Sequence, residues 1–121
     1  MRNAILAASL AISVWLASAA GVTASRSWHV VKRSSASGQF AVTAINATIT
    51  RPHAIGVKFI GHVQTGDAVV ACSKGFSISS NSRTYSHAGF HRLPMTRGAD
   101  SCDVTASVGG SGKVTVQILK Q

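Results

Sequence analysis

At 121 residues the chain has room for one domain and excludes a second. Hydrophobic residues make up 45% of it, more than a disordered polar tail carries, so the chain is expected to fold. Twelve Lys and Arg against three acids, all of them Asp, give a formal net charge of +9, which disfavours cationic partners and points to polyanions such as wall polymers, sulfated sugars or anionic lipid.

The first segment reads as a secretory leader. Met1-Arg2-Asn3 makes a short positive start, and an apolar run rich in Ala, Leu and Ile extends from Ala4 to about Ala17. Small residues follow at the two spacings that a signal peptidase reads, Ala17-Ser18-Ala19 and Val22-Thr23-Ala24. Cleavage is expected after Ala24, with Ala19 as the alternative, so that residues 1–24 form the signal peptide and 25–121 the exported domain. The run is shorter than the roughly 20 apolar residues that a membrane anchor needs.

Downstream of the leader the apolar residues recur every second position, the period of a half-buried strand. Segments over 28–33 and 40–50 are followed by the clearest case, in which Ile55, Val57, Phe59 and Val63 alternate with Lys58, His62 and Gln64. Shorter strands are predicted over 68–72, 76–79 and 90–93. The last two are Cys102, Val104, Ala106 and then Val114, Val116, Ile118, separated by Gly109-Gly110-Ser111-Gly112, which reads as a hairpin turn. Turn residues also punctuate the chain at 34–38, 51–52, 65–67, 80–82 and 94–98. No segment combines helical periodicity with a cap. The expectation is an all-β fold, a small antiparallel β-sandwich of about seven strands.

Cys72 and Cys102 each fall on the apolar side of their strand. In an exported chain two inward-facing thiols oxidise, and a bridge closing a loop of roughly 30 residues stabilises by about 3 kcal/mol in the chain-entropy model. Close Cys-x-x-Cys spacing, which redox chemistry would require, is absent from the sequence. The bridge, followed by a hairpin from the second Cys to the last strand, resembles the immunoglobulin-like sandwich over residues 100–118. That resemblance implies a bridge from one sheet to the other. The sequence departs from the family at Asp100, where a Tyr is usual, and has no Trp between the cysteines.

Enzymatic parts are scarce. Asp67, Asp100 and Asp103 all lie near turns, and no Gly-x-Ser-x-Gly or Ser-x-x-Lys pattern frames a serine nucleophile. His87 and His91 have a spacing that would share a metal on a helix, but along a strand it sets their Cα atoms about 13 Å apart. No enzyme activity, cofactor or metal is expected. The best candidate for anion binding is the segment holding Arg83, Tyr85, His87, His91, Arg92 and Arg97, in which cations alternate with rings able to stack on a sugar or base. Asn46-Ala47-Thr48 matches the N-glycosylation acceptor pattern inside a predicted strand.

The sequence thus reads as a secreted, basic, disulfide-bonded binding or surface-associated module, held outside the cell, in the periplasm or at the wall, with an anionic polymer or cell-surface component as its expected partner. Nucleic acid suits an exported chain less well. The alternative is a secreted effector, either an inhibitor or a cationic membrane-active protein.

Overall fold

The computed structural model describes residues 27–121, so the leader and both cleavage sites lie outside the described residues. Five strands follow one another: β1 (His29–Thr50), β2 (Ile55–Lys74), β3 (Ser77–Tyr85), β4 (Gly89–Leu93) and β5 (Ser101–Lys120). All pairings are antiparallel, and the strands lie in the order β1-β5-β2-β3, with β4 also on β2. Residues 77–93 act as one edge strand with a break. They pair first with Gly66 to Lys74 of β2 as β3, and then with Ile55 to Phe59 as β4.

The strand count differs from the expected seven because three of the predicted gaps are bends within strands. Segments 28–33 and 40–50 join in β1, 55–64 and 68–72 join in β2, and 102–107 and 114–118 join in β5. Gly109-Gly110-Ser111-Gly112 is therefore not a hairpin turn. It lies inside β5, with Gly112 paired to Gly38, and Gly110 paired to Ala41 on one side and Val63 on the other.

A crease crosses the sheet at this level. The pairing of β1 with β5 shifts between Gly38 and Ala41, and that of β2 with β5 shifts between Gly61 and His62 and again between Val63 and Thr65. Such shifts bend a strand and sharpen its twist. Gly61 has a φ of 105°, and a Cβ there would lie 2.1 Å from the Lys113 carbonyl oxygen. A Cβ on Gly110 would lie 2.0 Å from the carbonyl oxygen of His62. Only glycine permits these backbones to approach so closely.

The crease folds the sheet onto itself. Seven residues of straight strand span about 23 Å, yet the Phe59 ring comes within 2.7 Å of the position a Cβ would take on Gly66. The two halves of β2 thus face each other, and the buried parity switches from Ile55, Val57 and Phe59 to Ala68, Val70 and Cys72. With Val104, Val108, Val114, Val116 and Ile118 of β5 and Ile49 of β1, these residues form the core of a sandwich-like all-β fold. Each fully buried Val, Ile or Phe contributes roughly 1.5–3 kcal/mol. A smaller cluster covers the outer face, where Phe90 lies over Gly56 and meets Trp28 edge to face at 4.9 Å.

Cys72 and Cys102 are bonded, as expected, but the geometry departs from the immunoglobulin-like pattern. They are direct register partners on the neighbouring strands β2 and β5, with Cα atoms 4.0 Å apart. The bridge is cross-strand within one sheet because β5 inserts beside β2, so it does not span from one sheet to another.

Candidate functional site

The connection over residues 94–100 leaves β4, runs across the end of β2 and enters β5. Backbone bonds fix its far end: Asp100 N donates to Ser73 O and Arg51 N donates to Asp100 O, both at 2.8 Å. Ser79 on β3 and Thr96 share a hydroxyl hydrogen bond, and Lys74 Nζ donates to Arg97 O at 3.2 Å. Leu93 and Ala99 anchor the segment in the core, with Met95 packed against it.

Between this connection, the edge strand and residues 51–54 lies a cleft of about 730 Å³. Arg83 reaches it from β3, Arg92 from β4 and Arg97 from the connection, with Pro52, His53, Leu93, Pro94, Met95 and Gly98 completing the wall. No carboxylate lines it. The three Asp side chains are engaged elsewhere: Asp67 accepts from Thr84 Oγ1 at 3.0 Å, Asp103 from Thr48 Oγ1 at 2.6 Å, and Asp100 from the Gly75 amide at 2.7 Å. A guanidinium offers a planar fork of N–H donors that matches the oxygens of a carboxylate, sulfate or phosphate. Three arginines line this one cleft, and Arg83 Nη1 donates to the Ser82 carbonyl at 3.0 Å.

The six residues singled out by sequence divide into three groups. Arg83, Arg92 and Arg97 share the cleft. Tyr85 and His91 instead stack on one another, with ring centroids 3.9 Å apart and planes 14° from parallel, and both rings lie against Phe59. Their contacts with Phe59, itself buried in the core, set both rings on the inner face. Burial raises the Tyr85 phenol above its ordinary value, and the Arg83 charge partly offsets this. His91 Nε2 is buried without a hydrogen-bond partner. His87 sits in the break between β3 and β4, exposed, with Nδ1 3.0 Å from Ser86 Oγ.

Sequence reasoning missed Pro52, His53 and Met95. They come from segments far apart in the chain and carry no motif. Asn46 lies exposed on β1, where its Nδ2 donates to Thr105 Oγ1 at 2.8 Å. Among the described residues no group of three or more His, Cys or acidic side chains is placed to hold a metal ion, and no helix is long and apolar enough to cross a membrane.

No protein-family model matches the chain, and no curated protein matches it in sequence. Solved structures with a similar course of chain include PirA, at 10% identity and a TM-score of 0.47 over 80% of this chain and 95% of that one. Another is the C-terminal domain of A223, a structural protein from Sulfolobus turreted icosahedral virus, at 9% identity and 0.43 over 78% and 99%. A third is TmCBM61 in complex with β-1,4-galactotriose, at 9% identity and 0.43 over 78% and 88%. These likenesses concern the course of the chain and bring neither ligand nor activity to it.

Proposed function

We propose that the chain is an exported, non-enzymatic binding module that holds an anionic polymer in the cleft of Arg83, Arg92 and Arg97. The observation that carries this reading is that three arginines from three separate elements line one cleft that no carboxylate lines. Unpaired cations so placed repel one another, and a bound anion relieves that repulsion while satisfying several donors at once. The bridged cysteines fit an oxidising compartment, where wall and surface polymers supply the anions.

Retention on immobilised dextran sulfate, measured against salt, tests the reading. Each arginine that touches the polymer takes about one from the slope of log affinity on log salt, so the triple change Arg83→Ala, Arg92→Ala, Arg97→Ala is expected to lower it by about three. The matched triple change Lys32→Ala, Arg33→Ala, Lys58→Ala removes the same charge from elsewhere. Equal losses in the two variants would reduce the cleft to general surface charge and overturn the assignment.

A further inference from the structure

The β2–β3 hairpin turns through two residues, Gly75 and Phe76, between the paired Lys74 and Ser77. Gly75 has a φ of 62°, and Phe76 is not among the non-glycine residues of positive φ, so only the first central residue is left-handed, the type II′ pattern. That turn demands Gly in first place and nothing apolar in second. Phe76 nevertheless occupies it and is 108% exposed, and Ile78 two residues on is 79% exposed. Neither side chain contributes to the core.

Cations stand around this tip. Lys74 precedes the turn, and its Nζ bonds the carbonyl of Arg97. The Gly75 amide bonds Asp100, whose carbonyl accepts from the Arg51 amide, so Arg51 lies at the same end, exposed. Asp100 is the carboxylate among them. A protruding ring and a branched aliphatic side chain, flanked by Lys and Arg, match the boundary of an anionic bilayer, where apolar tips enter the acyl region and cations stay among the headgroups.

We propose that the Gly75-Phe76 hairpin tip is a membrane-docking site, and that its occupant is the surface of an anionic lipid bilayer. Phe76 and Ile78 enter the interface, while Lys74 and Arg51 meet the headgroups. The site shares no side chain with the arginines of the cleft, and it stands or falls independently of the polymer reading.

Co-sedimentation with phosphatidylcholine vesicles, with and without 30% phosphatidylglycerol, provides the test. The chain is expected to bind the anionic vesicles and to leave the neutral ones in solution, since each interfacial cation contributes roughly fivefold at an anionic surface. The double change Phe76→Ser, Ile78→Ser should cut binding by on the order of tenfold or more while leaving retention on dextran sulfate unchanged. Phe40, 86% exposed at the crease of β1, is the control; Phe40→Ser should leave vesicle binding intact. Phe76→Trp should keep binding and shift its emission to the blue when anionic vesicles are added. The proposal is overturned if the native chain ignores anionic vesicles, binds both kinds equally, or loses binding with Phe40→Ser rather than with the tip variant. It is equally overturned if the tip variant dissociates a dimer without changing vesicle binding.

Discussion

Tyr85 packs against the core, its ring stacked on His91 and tilted against Phe59, and it feels two opposed influences. Burial disfavours the phenolate and raises the pKa, while the positive charge of Arg83 works the other way and is the weaker of the two. The folded chain therefore holds this proton more tightly than the unfolded chain does. The resulting stabilisation is complete below the ordinary phenol range, near pH 10, and is lost as pH rises through the higher native value. Tyr85 is the chain's single tyrosine, so an ultraviolet absorbance titration reads it directly. The expected midpoint lies above that of free tyrosine and moves further up in Arg83→Ala; a midpoint at or below the free value would contradict burial as the dominant cause.

At the scale of the element, the long strands depend on two close backbone approaches at the crease. A methyl group on Gly110 meets the His62 carbonyl, and one on Gly61 meets the Lys113 carbonyl in a backbone conformation that alanine resists. Each of Gly110→Ala and Gly61→Ala is expected to destabilise by about 2–4 kcal/mol, through strain and a displaced ladder, as measured by urea unfolding. Gly112→Ala also has a positive φ but meets no atom within 4 Å, and should cost less. The half-strands around the crease were legible in the sequence, because Ile55, Val57, Phe59 and Cys102, Val104, Ala106 alternate as a one-sided strand must. Their continuity was not. A glycine run permits a turn and a bend alike, and here partner strands on both sides of β5 decide between them. The cleft follows the same logic: Arg83, Arg92 and Arg97 were visible as charges, but their convergence depends on how residues 94–100 cross the end of β2. Tyr85 and His91, grouped with those arginines by spacing, turn their rings onto the buried Phe59 instead, a contact between distant segments that spacing alone does not show.

For the whole molecule, the cross-strand bridge ties the two central strands at one end of the sheet. Replacing both cysteines by alanine frees the unfolded chain from a closed loop and is expected to cost about 2–5 kcal/mol, which lowers Tm by on the order of 10 °C or more for a domain of this size. Thermal unfolding of the variant beside the oxidised native chain measures it, and an unchanged Tm would mean that the crease and core alone set stability. The strand order bears on how such a molecule comes into being. β1 and β2 adjoin in sequence but never pair, because β5 lies between them, with Lys120 opposite both His29 and Ile55. The middle of the sheet is thus made last. Until those 20 residues arrive, β1 has nothing to zip against and β2 lacks one neighbour, so neither half of the sandwich can close before β5 is in place.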